Sequence, residues 1–243
     1  MFKVMAPQSC KETAECLEAY LNNLVDLGDV EVRINWGKSF FKNPKNESVK
    51  GNSTKAVGNS VNKAVTFQLM KTFAVPLITS KDEFYDTCIQ HTNPFGMAGQ
   101  GIKLIHPKQD EFDPNILTTK FIEGEEYRVY FAYDKVLGYA KKEKLFDKAH
   151  PWIKTPSNGW GYSLFYDEPL TGLFDLFLDG VQEVSKRLGI KYGAIDFIVE
   201  KDTSITYILE VNSAPCLFDN DLAEGMAKAI VMNEVNREPE NEL

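Results

Sequence analysis

The chain has 243 residues, 43% hydrophobic and 26% charged, an ordinary balance for a protein with a buried core. Its net charge of −8 argues against a broad nucleic-acid surface, so any phosphate site must be a local gathering of Lys, Arg and backbone N–H groups. No run approaches a membrane span, residues 1–20 lack an apolar signal core, and the four cysteines lack metal-ligand spacing, which predicts a cytoplasmic protein with reduced thiols.

Residues 11–26 predict a helix, with Ala14, Cys16, Leu17, Tyr20, Leu21 and Leu24 as its apolar stripe and Thr13 as a cap. Val30 to Asn35 alternates as a strand does. Residues 42–60, rich in Lys, Asn, Ser and Gly, read as a loop or mobile linker. A helix is expected from Val61 to Phe73, then a short strand from Pro76, then a helix over 81–87 capped by Ser80. Short strands are predicted at 88–92, 102–106 and 116–122, and a longer pair at 126–133 and 136–144. An amphipathic helix over 171–188 precedes strands at 192–200 and 205–212 and a closing helix near 221–235. The tail, 236–243, reads as frayed. This mixed order predicts α+β lobes rather than a doubly wound parallel sheet.

The strongest chemical signal is the segment YGAIDFIVEKDTSITYILEVNSAP, residues 192–215. Glu210 and Asn212 are two apart on one strand and share a face. Placing Asp196 opposite Glu210 leaves a hairpin loop of about five residues and also sets Ile198 against Ile208 on that face. Two carboxylates and an amide oxygen then converge. Like charges that close are costly, and a hard divalent cation such as Mg²⁺ relieves them. A solvated sheet face is the plainer alternative.

Two further features are weaker alone. HTNPFGMAGQGIKLI, residues 91–105, carries Gly96, Gly99 and Gly101 between two strands. It lacks a Walker signature but suits a mobile turn whose N–H groups close over phosphate. Arg128 lies amid Tyr, Val and Phe, opposite the Val129 face, and needs an anionic partner if buried. Lys141 and Lys142 point to opposite faces of one strand, so at most one can enter a cleft.

Together these residues resemble the ATP-grasp superfamily over about residues 60–216. Asn62-Lys63 before VPLIT, the glycine loop, KFIEGEEYRV, GAIDF and ILEVNSAP occur in that family's order. INWGKS, EYRVYF and SNGWGY are most similar to compact phage-encoded ATP-grasp proteins and to amino-acid or peptide ligases. The resemblance implies two α+β lobes clasping ATP, with a reduced N-terminal region. The expected division is 1–58 for that region and linker, 59–118 for a small lobe with the lid, and 119–243 for a large lobe with the metal site.

The resemblance also implies roles. Asp196, Glu210 and Asn212 would hold one or two Mg²⁺ ions, or Mn²⁺. Lys63 and the lid glycines would contact ATP phosphates, the backbone of Lys120 and Ile122 the adenine, and Glu126 the ribose. Arg128, Lys141 and Asn158 would face the reacting groups. Three departures stand out: His91 where a second phosphate-binding Lys or Arg is usual, Thr119 where a hinge acid is common, and an N-terminal region of about 60 residues. Cys216 reads as packing. The implied activity is a carboxylate–amine ligase working through an acyl phosphate in the cytoplasm, that of the host if phage-encoded. Its substrates would be a small-molecule or peptide carboxylate and an amine acceptor, with a protein tail as one candidate. A small-molecule kinase and a non-catalytic nucleotide binder are the rivals.

Overall fold

The computed structural model describes residues 1–41, 49–80, 87–96, 99–106, 110, 112–165 and 172–235. The expected helix over 81–87 and the tail at 236–243 fall outside them, apart from Thr87.

Three sheets organise the described residues. The first is parallel, in the order β1 (Phe2–Met5), β2 (Val32–Asn35), β3 (Val49–Gly51). Helices α1 (Lys11–Leu24) and α5 (Asn220–Glu234) pack beside it, where Leu17, Leu21, Ile34, Met226 and Ile230 form one core with Trp36. The second is antiparallel, in the order β5 (Ile102–Ile105), β4 (Cys88–His91), β6 (Leu117–Lys120). The third and largest is antiparallel, in the order β11 (Thr206–Asn212), β10 (Tyr192–Glu200), β7 (Gly124–Ala132), β8 (Lys135–Lys144), β9 (Trp160–Phe165). Its apolar face carries Val129, Phe131, Ile195, Phe197 and Ile208. Helix α4 (Leu173–Leu188) covers that face with Phe177, Val181 and Val184. Gly180 lets α4 approach, since a Cβ there would stand 2.6 Å from the Phe197 ring.

Several local expectations are corrected. Residues 49–60 are not linker: they form β3 and most of α2 (Thr54–Val61). Ser53 caps α2 by accepting from the Ala56 N–H, and Ala56 and Val57 are buried, so tertiary packing overrides a polar composition. The predicted helix from Val61 to Phe73 shortens to α3 (Lys63–Met70), because Asn62 breaks out of helical geometry and caps α3 itself. Thr13 lies inside α1, whose N-cap is Cys10. Pro76 to Thr79 makes one isolated bridge, Leu77 with Thr119, and no strand.

The hairpin expectation holds at its centre, with Asp196 opposite Glu210 and residues 201–205 as the turn. Beyond that pair the register shifts. Phe197 faces Ile208 and Ile198 faces Tyr207, so Leu209 is the extra residue of a β-bulge. Ile208 therefore sits in the core with Phe197 and does not share the Ile198 face.

Candidate functional site

The face of the large sheet away from α4 forms one wall of a cavity of about 430 Å³. The period of two along β7 sends Glu126 and Arg128 into it while Tyr127 and Val129 enter the core. Asp196 and Ile198 of β10 enter it too, as do Glu210 and Asn212 of β11. Helix α3 contributes Lys63, and the smaller antiparallel sheet contributes Ile89, His91, Ile102 and Thr119. The segment between β8 and β9 closes the rim with Trp152, Ile153 and Lys154.

One end is apolar. Val75, Ile122 and Ile198 are buried together there, with Tyr207 and Leu209 packed on them. The other end is ionic. The Arg128 guanidinium grips Asp196 side-on, Nε donating to Oδ1 at 2.6 Å and Nη2 to Oδ2 at 2.9 Å. Lys142 Nζ donates to Asp196 Oδ2 at 3.1 Å and to Glu126 Oε2 at 2.9 Å. Lys154 stands 3.5 Å from Glu126 Oε1. Lys63 lies 3.4 Å from Glu210 Oε1 and donates to the Gly96 carbonyl at 2.9 Å, tying the glycine loop to the cleft floor. Tyr162 of β9 stacks over this group, 5.0 Å from Arg128 and 5.0 Å from the Phe218 ring.

The pairings set the charges. Burial by itself would raise the Asp196 carboxyl, but Arg128 and then Lys142 outweigh it and hold the group below its ordinary range. Burial pulls the Lys142 ammonium down, and Asp196 and Glu126 more than reverse it. Lys154 ends lower than usual, because burial exceeds what Glu126 restores. Repulsion between Asp196 and Glu210 is thus relieved by lysine and arginine, where the sequence argument called on a divalent ion.

His91 is buried in the cavity wall, edge-on to Phe67, with Nε2 3.3 Å from Thr119 Oγ1. Burial, then Lys63, push its imidazole down to about 4. That shift favours the neutral ring at physiological pH. The two side-chain departures noted in the sequence therefore touch one another.

Neither a family model nor a curated protein matches the chain. Solved structures do. D-alanine–D-alanine ligase from Bacillus anthracis matches 97% of this chain and 96% of its own, at 14% identity and a TM-score of 0.59. ATP-grasp ligase PsnB, complexed with a phosphomimetic variant of its minimal precursor, Mg and ADP, matches 95% and 97%, at 12% identity and a TM-score of 0.63. D-alanyl-alanine synthetase A from Vibrio cholerae O1 biovar eltor matches 95% and 96%, at 12% identity and a TM-score of 0.61. The chain has the ATP-grasp fold.

Within the ATP-grasp cleft, the structure brings together Lys63, His91, Gly99, Lys120, Ile122, Glu126, Arg128, Asp196, Glu210 and Asn212. It leaves others out. Lys141 points to the opposite face, where its ammonium pairs with Glu125 and lies 5.9 Å from the Tyr127 ring; Lys142 is the lysine that enters. Asn158 ends a short 3-10 turn, Pro156–Asn158, and does not line the cavity, although it donates to Oγ1 of the lining residue Thr155 at 2.7 Å. Gly96 and Gly101 shape the glycine loop without lining the cavity, and Met97 and Ala98 of that loop are outside the described residues. The Lys120 N–H donates to the Pro76 carbonyl at 2.9 Å, which removes that donor from any base.

Sequence reasoning missed Lys154, Tyr162, Trp152 and Phe218. The alternation of WGYSLF was a usable signal for β9 and hence for Tyr162. Lys154 had none, since its loop is ordered by His150, whose Nδ1 accepts from the Ile153 N–H at 2.9 Å.

Proposed function

We propose that this protein is an ATP-dependent carboxylate–amine ligase that forms an amide or peptide bond through an acyl phosphate. The observation that carries the reading is one cavity with an apolar slot at one end and Lys63, Arg128, Lys142, Asp196, Glu210 and Asn212 at the other. That layout suits a flat base with a phosphate chain reaching toward cations.

Among the described residues no three His, Cys, Asp or Glu side chains cluster as a metal site. The candidate set is carboxylate plus amide. Asn212 fits it, because it lines the cavity and its side-chain amide carries a carbonyl oxygen of the kind that Mg²⁺ prefers. Glu210 fits it too, being 30% exposed with Lys63 as its nearest cation. Glu210 and Asn212 would hold Mg²⁺ and Asp196 would border it. The ion, when bound, would neutralise charge on the transferring phosphoryl group.

The chain's own groups do the rest in this reading. Ile198, Leu209, Ile122 and Val75 take the base. Lys63 offers positive charge to the phosphates. Arg128 orients the substrate carboxylate, whose oxygen attacks the γ-phosphorus as ADP leaves. An amine then adds to the acyl carbon, inorganic phosphate departs and the amine loses a proton. The glycine loop, packed at Gly99 against Ile153, excludes water that would hydrolyse the acyl phosphate. The 59–118 and 119–243 segments act as the two jaws. A peptide or protein tail is a reasonable substrate, since PsnB is complexed with a precursor peptide.

The test pairs calorimetry with Mg-ATP and an ADP-release assay across amino acids and peptides, with mass spectrometry of the products. The expected result is nucleotide binding, acceptor-dependent ADP and free phosphate, and one condensation product. Phosphate retained on the product means a kinase. Failure to bind nucleotide removes the reading altogether.

A further inference from the structure

Lys142 occupies an unusual place. Its ammonium lies between Asp196 Oδ2 at 3.1 Å and Glu126 Oε2 at 2.9 Å, and its side chain is only 8% exposed. It joins two carboxylates that come from neighbouring strands, as a metal ion would. Arg128 fills the remaining side of Asp196 with a two-point contact. A carboxylate offers about four lone-pair sites, and three of these are already taken at Asp196. Glu210 and Asn212 differ. Among the described residues Glu210 has one ion pair, with Lys63 at 3.4 Å, and Glu210 and Asn212 both line the cavity two residues apart on β11.

We propose that Lys142, with Arg128, serves as the built-in counter-ion of Asp196, so that this cleft holds a single divalent ion at Glu210 and Asn212 rather than two. The inference rests on the nucleotide-binding reading and narrows it. A second divalent ion on Asp196 would have to stand beside an ammonium and a guanidinium, both within 3.1 Å of the same carboxylate. Like charges at that spacing repel strongly in a site with little water. Lys142 is thereby a positioning residue: it holds Asp196 and Glu126 at fixed separation and supplies the charge that an ion would otherwise bring.

The experiment counts ions, not turnover. Mn²⁺ is titrated into the full chain saturated with a non-hydrolysable ATP analogue, and free Mn²⁺ is read by electron paramagnetic resonance. The wild-type chain is expected to bind one Mn²⁺, and Lys142→Met to bind two. The variant leaves Asp196 paired with Arg128 and Glu126 beside Lys154, so the fold keeps partners for both acids. Its melting profile is recorded alongside. Two ions in the wild type overturn the proposal, whatever the variant does. One ion in both chains overturns it as well, because Lys142 would then exclude nothing. Absence of analogue binding is a different failure, that of the nucleotide reading itself.

Discussion

The sheets on either side of the cleft present polar groups in opposite ways. The five-stranded sheet offers charge. Asp196, Glu126, Arg128 and Lys142 are buried or nearly so, and each has an ionic partner within 3.1 Å. Beneath them lies the largest apolar cluster among the described residues, from Val129 and Phe131 to Phe177 and Val184. The β5–β4–β6 sheet, apart from Lys120 with its Glu200 partner, offers neutral groups. His91, Thr118, Thr119 and Gln90 are buried there, and its core cluster is Ile78, Cys88, Ile105 and Phe112 among the described residues. Ion pairs are costly to desolvate and costlier to break, so they belong on the stiff wall. Neutral groups suit the wall with the smaller core.

The largest effect expected from this contrast is on the charged wall. Asp196→Asn leaves Arg128 and Lys142 without their shared anion, and stability should fall by about 3–5 kcal/mol. Denaturant unfolding measures it. A loss under about 1 kcal/mol would mean that these pairs behave as exposed ones.

On the neutral wall the expectation is a pH effect. The folded-state value of His91 lies near 4, below the unfolded value of roughly 6.5, so its contribution is complete above 6.5 and lost as pH falls toward 4. Wild type should lose about 3 kcal/mol more than His91→Gln between those limits. Parallel pH profiles for the two chains would show that His91 is not held neutral. A smaller local effect is expected at Gly99, which has φ +80° and whose added Cβ would meet Ile153 Cγ2 at 2.5 Å. Gly99→Ala should cost about 1 kcal/mol or more in loop closure. It should weaken nucleotide binding in calorimetry while global unfolding barely moves; unchanged affinity would detach the loop from the site. The smallest effect is at Lys141. Lys141→Ala breaks a half-exposed pair with Glu125 and should change stability by under about 1 kcal/mol, with nucleotide affinity intact. A large loss of affinity would return Lys141 to the cleft.

Legibility in the sequence followed the same division. Alternation along EEYRVYFA placed Arg128 opposite Val129, and the spacing of Asp196 and Glu210 gave their pairing, because strand periodicity is a local property. Which of Lys141 and Lys142 enters the cleft was not local. Parity says that they differ, and only the pairing of β8 with β7 and β9 says which faces where. Residues 49–60 misled because Gly, Ser and Asn mark loops, while the burial of Ala56 and Val57 depends on distant partners. Phe2–Met5 is too short to announce itself; β1 exists because β2 lies beside it and α1 covers it. The ATP-grasp fold was legible from motif order, whereas the saturation of Asp196 by two cations needed coordinates.

The β-bulge at Leu209 has one more consequence. Consecutive residues of a regular strand diverge, yet Leu209 and Glu210 both border the cavity. That single added residue resets the phase of β11, so the strand presents Tyr207 and Leu209 toward the apolar end of the cavity and Glu210 and Asn212 toward the ionic end. Length, more than identity, is therefore the guarded quantity between Tyr207 and Glu210: removing one residue there would swap inside for outside along half the strand, while the 201–205 turn could grow or shrink with little harm.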